Sequence, residues 1–157
     1  MAVKPIPDGY HTITPYLAVE DTATAIDFYT KAFGAQEVMR MPGPDGKIAH
    51  AEIKIGDSTL MLSDPFEQSS VRPPAERGGP TASLFLYVED VDKTFEQAIE
   101  AGATETMALE DMFWGDRFGS VTDPFGHVWS MATHKEDLTE EEMAERSKAA
   151  MAEMGAQ

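Results

Sequence analysis

His50 and Glu52 are the residues of this chain whose types and spacing best suit acid–base chemistry. They stand two positions apart where polar and apolar residues alternate, so on a β-strand both point to the face opposite Ile53 and Ile55. An imidazole beside a carboxylate could transfer protons or supply half of a metal site. The pair could equally be a polar contact at a pocket wall or a dimer seam, and we favour this structural interpretation.

A second group of candidate residues lies between positions 113 and 118. Arg117 could bind a carboxylate or phosphate group of a ligand, or it could form an internal ion pair with Asp116 or Asp123. The aromatic side chains beside it could stack on a planar ligand or belong to the core. These are Phe113, Trp114 and Phe118.

The composition excludes several classes of function. Asp and Glu number 28 against 12 Lys and Arg, a formal net charge of −16, so nucleic acid and anionic membranes are poor partners. The absence of cysteine excludes disulfides, thiolate zinc sites and a cysteine nucleophile. Residues 1–9 do not resemble a signal peptide, and no apolar stretch approaches the ~20 residues of a membrane helix. We therefore expect a cytoplasmic protein.

The pattern of polar and apolar residues predicts a strand, a helix and three further strands, twice over. In the first half these are residues 10–19, 22–33, 37–41, 48–55 and 58–63. In the second half they are residues 82–88, 90–101, 104–109, 117–122 and 127–133. A stretch rich in proline and glycine, 65–80, separates the halves as a linker or pocket-edge loop. A capping box of Thr139 and Glu142 begins a separate C-terminal helix.

The two halves also share a short motif. Val19-Glu20-Asp21 recurs 69 positions later as Val88-Glu89-Asp90, and each copy opens a helix. An internal repeat of this kind predicts two tandem βαβββ units. We therefore expect one α+β domain over residues 1–157, with curved mixed sheets around a cleft and a C-terminal helix. Its parts are a first unit (10–64), a linker (65–80), a second unit (81–134) and a helical tail (135–157).

Two phrases carry a resemblance to a known family. They are Ala25-Ile26-Asp27-Phe28-Tyr29 ahead of Phe33-Gly34, and Asp123-Pro124-Phe125-Gly126-His127 ahead of the last strand. With them, residues 10–134 resemble the vicinal oxygen chelate superfamily of glyoxalase I, bleomycin- and fosfomycin-resistance proteins and extradiol dioxygenases. Trp114-Gly115-Asp116-Arg117 is similar to a bacterial branch of it that is often labelled glyoxalase-like.

The resemblance implies metal ligands at four strand positions, and these fall on Thr14, Met61, Ser83 and Ser130. Divalent metal sites are built from carboxylates, imidazoles and thiolates, which none of these residues supplies. The resemblance, corrected for this departure, therefore implies a protein without a metal or another cofactor.

Strand alternation and the resemblance together predict the residues that face the cleft. They are Thr14, Tyr16, Met61, Ser83, Phe85, Tyr87 and Ser130, joined by Trp114, Arg117 and Phe118 at the cleft mouth. Aromatic and thioether walls with a few hydroxyls suit a planar, mostly apolar ligand. We expect a metal-independent small-molecule binding protein, working as a homodimer because members of the superfamily commonly complete the cleft with a second subunit.

Two alternatives remain open. The first is an enzyme, either a glyoxalase-like lyase or dioxygenase with a displaced metal site, or one that uses His50 and Glu52 for proton transfer. The second is an interaction protein with a filled cleft, whose C-terminal helix is the working surface.

Overall fold

The computed structural model describes residues 2–156 and confirms an α+β fold with two βαβββ units. The first unit consists of β1 (Tyr16–Ala18), α1 (Thr22–Phe33), β2 (Gln36–Pro42), β3 (Ile48–Ile55) and β4 (Ser58–Ser63). The second consists of β5 (Ser83–Tyr87), α2 (Val91–Ala101), β6 (Thr104–Asp111), β7 (Asp116–Thr122) and β8 (Val128–His134). A third helix, α3 (Glu140–Met154), follows.

The repeated motif marks the start of a helix in both units. The side chain of Asp21 accepts a hydrogen bond from the backbone N–H of Thr24, and Asp90 accepts the equivalent bond from Lys93. These side chains satisfy N–H groups that have no partner within the helix, which is why each helix begins there. Helix α1 ends at Gly34, whose φ of 66° is a left-handed conformation that glycine adopts without strain.

Each unit folds into a four-stranded mixed sheet. The strand orders are β1-β4-β3-β2 and β5-β8-β7-β6, with the first strand of each unit parallel to the last and the other pairs antiparallel. The predicted strand 10–19 is wrong in length, because β1 covers only Tyr16–Ala18. Pro15 has no N–H to donate to a ladder, and Ile13, within the predicted strand, is 85% exposed.

Helices α1 and α2 form a single core with one side of each sheet. Helix α1 packs on its own sheet and also reaches the second one, where Tyr29 and Phe33 contact Trp129 of β8 with ring centroids 5.2 and 4.6 Å apart. The buried hydroxyl of Tyr29 donates to Asp123 over 2.7 Å. Helix α1 therefore joins the helix-covered sides of both sheets in one core, and the opposite side of each sheet points away from it.

These outward sides are the places where a ligand could bind, and we name them by their sheets. The first open face carries Tyr16, His50, Glu52 and Met61, because Tyr16 and Glu52 both lie opposite Met61. The second open face carries Ser83, Phe85, Tyr87, Phe118 and Ser130, with Phe85 opposite Ser130. Among residues 2–156, no hydrogen bond between side chains and no aromatic pair joins one open face to the other.

The C-terminal helix stands apart from the core. Its predicted capping box is present, since Thr139 and Glu142 exchange hydrogen bonds. None of its described residues is buried, and an ion pair of Arg146 with Glu136, 2.6 Å long, ties it to the preceding segment. No helix in the part of the chain that the structure describes is long and apolar enough to cross a membrane.

Candidate ligand-binding faces

A chain of hydrogen bonds runs across the first open face. The hydroxyl of Tyr16 lies 3.2 Å from Nδ1 of His50, and Nε2 of His50 lies 3.1 Å from Oε1 of Glu52. The hydroxyl of Tyr10 donates to the other carboxylate oxygen of Glu52. The structure thus brings together His50 and Glu52, the two candidates for acid–base chemistry, and adds Tyr10 and Tyr16 to them.

Glu52 is the charged centre of this chain of contacts. Its side chain is 12% exposed and that of His50 is 24% exposed. The hydrogen bond from Tyr10, followed by that from His50, lowers the pKa of the Glu52 carboxyl below its ordinary value. The same bond raises the pKa of the Tyr10 hydroxyl, so Tyr10 stays protonated as a donor while Glu52 is ionised.

Aromatic rings cover the second open face. Phe85 stacks on Phe118 with centroids 5.6 Å apart and an interplanar angle of 27°, and it also touches Tyr87 at 5.0 Å. Trp114 meets the edge of Phe118 at 5.9 Å. Phe85 and Tyr87 are 48% and 66% exposed, so the chain presents ring faces to solvent at the positions that the sequence predicted for ligand contact.

A buried carboxylate fixes one end of this aromatic surface. Asp116 is 3% exposed and accepts hydrogen bonds from the Tyr87 hydroxyl, the Trp114 indole and Nδ1 of His134. Burial raises the pKa of the Asp116 carboxyl, but the three donors more than offset it and leave the pKa below its ordinary value. Sequence reasoning missed His134 and considered Asp116 only as a partner of Arg117. The available signal was strand parity, which places both residues on the same side as Phe118.

Arg117 lies on the helix-covered side of β7. Its guanidinium donates two hydrogen bonds of 2.8 Å to the carboxylate of Asp92 at the start of α2, and a third of 3.3 Å to Asp111. These carboxylates raise the pKa of Arg117 further above its ordinary value. The internal ion pair is therefore the alternative that the structure shows, with Asp92 and Asp111 in place of the predicted Asp116 or Asp123.

The four positions implied for metal ligands differ in their placement. Met61, Ser83 and Ser130 lie on the open faces, whereas Thr14 precedes β1 and its hydroxyl donates to the carbonyl of His11 over 3.1 Å. A thioether and three hydroxyls do not fit a divalent cation of the kind that carboxylates and imidazoles hold. Within residues 2–156, no three His, Cys, Asp or Glu side chains are grouped closely enough to hold a metal ion.

A hollow of about 520 Å³ lies on the first open face and is lined by Glu52, Met61 and Thr14 together with other residues of the segment before β1. Two further hollows adjoin the open faces. One, of about 330 Å³, lies between the edges of β1 and β5 and is lined by Tyr16 and Ser83 together with linker residues. The other, of about 1220 Å³, separates α3 from the end of the β6–β7 hairpin and is lined in part by Trp114 and Arg117. Phe113 packs edge-on against Trp114 at 5.1 Å and also lines the larger of these two hollows.

The fold and these faces define the class of protein. Residues 9–131 match the model of the Glyoxalase/Bleomycin resistance protein/Dioxygenase superfamily, and the chain belongs to this family. Within curated proteins it is 45% identical over 146 residues to Rv0887c, an uncharacterized protein of Mycobacterium tuberculosis (strain ATCC 25618 / H37Rv). The match covers 91% of this chain and 84% of that protein. The resemblance stated from the sequence is thereby confirmed.

Solved structures show the same fold. TioX from Micromonospora sp. ML1 is 30% identical with a TM-score of 0.64, and the match covers 79% of this chain and 98% of TioX. TnmS3, an antibiotic binding protein from Streptomyces sp. CB03234, is 24% identical with a TM-score of 0.59, over 86% and 99% of the two chains. The manganese-bound fosfomycin resistance protein FosX from Listeria monocytogenes is 15% identical with a TM-score of 0.58, over 85% and 94%. The likeness to the last two is one of fold.

Proposed function

We propose that this protein binds a planar, mostly apolar small molecule without a metal ion, in clefts formed when two copies of the chain pair. The observation that carries the proposal is the cluster of rings on the second open face, in which the exposed rings of Phe85 and Tyr87 contact each other and Phe85 stacks on the largely buried ring of Phe118. Rings held in place by one another and by Asp116 offer a flat apolar surface at low conformational cost. TnmS3, which has the same fold, is an antibiotic binding protein, and this supports a ligand of that general kind.

A second copy of the chain is the partner that the open faces favour. Each open face points away from the core of its own chain, so a second copy can supply a wall opposite a ligand that lies on it. The first open face offers the aromatic ring of Tyr16 and the thioether of Met61 for that wall. A two-fold dimer would then form two equivalent clefts.

The composition supports a place for the protein in the cytoplasm. The chain contains no cysteine, which fits a reducing compartment.

The glyoxalase-like lyase or dioxygenase with a displaced metal site receives less support. Both nitrogen atoms of His50 and both oxygen atoms of Glu52 already take part in hydrogen bonds. The four implied ligand positions carry a thioether and hydroxyls. No observation on the described residues therefore favours metal chemistry at this centre over ligand binding.

The binding experiment uses the two tryptophans of the chain as probes. Trp114 lies beside the aromatic surface, whereas Trp129 is fully buried in the core. Planar aromatic compounds should quench Trp114 fluorescence and raise the melting temperature. Phe85→Ser should weaken the binding of any compound that does so, while Ile99→Ser, on the exposed side of α2, is the matched control. Equal affinity of the wild type and Phe85→Ser would contradict the proposal.

The pairing of two copies needs its own measurement. Sedimentation velocity should give a dimer for the wild type and a shift toward monomer for Phe85→Glu, because a charge on the face would have to be buried unpaired. A wild type that is monomeric yet binds planar compounds would remove the dimer from the proposal and leave ligand binding in place.

A further inference from the structure

The contacts on the first open face form a continuous path for a proton. The path starts at the hydroxyl of Tyr16, a residue that is 40% exposed. It passes through the imidazole of His50 to the carboxylate of Glu52. All three residues project from β1 and β3 of one chain, on the side that is not covered by the helices. The exposed end is therefore the phenol, and the sheltered end is the carboxylate.

The ionised carboxylate determines which nitrogen of His50 carries the proton. A carboxylate accepts and does not donate, so Nε2 of His50 must be the N–H group that donates to Glu52 over 3.1 Å. In a neutral imidazole Nδ1 is then unprotonated, and it accepts the hydrogen bond of the Tyr16 hydroxyl over 3.2 Å. Tyr10 occupies the second oxygen of Glu52 and thereby helps to hold the carboxylate in place.

We infer that Tyr16, His50 and Glu52 form a hydroxyl–imidazole–carboxylate relay that removes and returns a proton on a carbonyl ligand held in the cleft. It deepens the proposed function and rests on it for the binding of that ligand. The arrangement follows the logic of an activated hydroxyl, in which a base takes the proton and a third group orients the base. Here the activated hydroxyl is a phenol and acts as a base toward the ligand.

The proposed step conserves protons and electrons. The C–H bond next to the carbonyl group breaks, and its electron pair stays on the ligand as an enolate. The proton moves to the oxygen of Tyr16 as the proton of that hydroxyl passes to Nδ1 of His50. The imidazolium so formed is held by Glu52, and reversal returns a proton to the ligand. Return to the same carbon exchanges hydrogen with solvent, and return to a neighbouring carbon isomerises the ligand.

The chemistry of the relay points to a class of substrate. A general base is most effective when the pKa of its conjugate acid is close to the pKa of the C–H group that it deprotonates. A tyrosine hydroxyl ionises near pH ~10 in water. Among carbon acids, 1,3-dicarbonyl compounds and β-keto esters are the ones whose acidity approaches that of a phenol. An aryl β-keto ester would in addition place a flat ring against the aromatic rings of the second open face.

The test measures hydrogen exchange into ethyl benzoylacetate, an aryl β-keto ester, in D₂O by ¹H NMR. The wild type should raise the exchange rate at the carbon between the carbonyl groups by about 100-fold over the buffer blank. Tyr16→Phe and His50→Gln should each reduce the rate to that of the blank, and Glu52→Gln should reduce it in part. Glu96→Gln, which changes an exposed carboxylate of α2 outside the relay, is the matched control for Glu52→Gln and should leave the rate unchanged.

Two further readouts separate the relay from simple binding. Each variant should still quench Trp114 with ethyl benzoylacetate, and ¹⁵N NMR should show His50 protonated at Nε2. If the wild type itself exchanged hydrogen only at the blank rate while its Trp114 was still quenched, the relay would be overturned and the proposed function would stand. A His50 protonated at Nδ1, or exchange that survives Tyr16→Phe, would also overturn the relay. Loss of quenching for the wild type with every planar compound would instead overturn the proposed function.

Discussion

The hydroxyl of Tyr87 donates a hydrogen bond of 2.9 Å to the carboxylate of Asp116. The two residues lie on β5 and β7, which are separated in the sheet by β8, so the bond spans the open face from one side of β8 to the other. The carboxylate raises the pKa of the Tyr87 hydroxyl, which keeps this group protonated as a donor. One buried acidic residue thus orients Tyr87 and Trp114 at once.

Asp116→Asn should destabilise the protein and loosen the aromatic surface. An amide nitrogen cannot accept hydrogen bonds, so at least one of the donors Tyr87, Trp114 and His134 loses its partner at a site that is 3% exposed. We expect a loss of about 1–3 kcal/mol in the free energy of unfolding. Urea denaturation followed by tryptophan fluorescence measures it, and Asp27→Asn, at an exposed carboxylate on α1, is the control. An unchanged midpoint for Asp116→Asn would show that the three bonds contribute nothing net.

His134 should make stability depend on pH in a defined direction. Its hydrogen bonds to Asp137 and then to Asp116 raise the pKa of the His134 imidazole above its ordinary value. The folded state therefore holds the proton more tightly than the unfolded state, and the stabilisation is fully present below pH ~6.5 and is lost as pH rises through the raised pKa. The difference in melting temperature between the wild type and His134→Gln should be larger at pH 6 than at pH 9. Asp137→Asn should reduce that pH dependence, and a difference that grows with pH would contradict the assignment.

Arg117→Met should affect stability and not ligand binding. The guanidinium joins β7 to the start of α2 through Asp92, on the side of the sheet opposite Phe118. The contact is exposed, so its effect on the melting temperature should be small and should shrink as sodium chloride screens the charges. A double-mutant cycle with Asp92→Asn isolates the pairwise contribution. A large loss of affinity for planar compounds would place Arg117 in the site after all.

The pattern of polar and apolar residues was sufficient to predict most strands and the helices α1 and α2. The repeated Val-Glu-Asp motif marked where these two helices start. The same alternation predicted that Phe85 shares a face with Tyr87, and the family resemblance added Ser130 to that face. The same rule shows why Phe118 and Arg117 could not both face the ligand: they are adjacent on β7 and point to opposite sides. Treating both as cleft residues ignored this consequence of the pattern.

Other features depend on contacts that no local pattern encodes. The joining of the two units rests on Tyr29 of α1, which meets Asp123 and Trp129, residues that are far apart from it in the sequence. The Tyr10 contribution to the first open face was missed because the residues before Pro15 were expected to continue β1. Instead they leave the sheet and bring the Tyr10 hydroxyl back to Glu52.

Gly115→Ala should be among the more damaging small substitutions in the chain. Gly115 has φ of +95°, and an added Cβ would lie 2.6 Å from the carbonyl oxygen of Glu136, which belongs to the backbone and cannot swing aside. Gly78→Ala is the matched control, because its φ is +77° but nothing lies within 4 Å of the added atom. Both variants carry the strain of a left-handed residue, of about 1–2 kcal/mol, and only Gly115→Ala adds a steric clash.

The clash has a consequence for the second open face as well as for stability. Gly115 lies between Trp114 and Asp116, and its carbonyl oxygen accepts the N–H groups of Lys135 and Glu136 at 2.9 and 3.0 Å. Moving this backbone therefore shifts the indole away from its bond to Asp116. We expect Gly115→Ala to lose a further ~1–3 kcal/mol relative to Gly78→Ala and to shift the emission of Trp114 toward that of an exposed indole. Equal urea midpoints for the two variants would mean that the segment after β8 yields to the methyl group, and that the position of Trp114 does not depend on it.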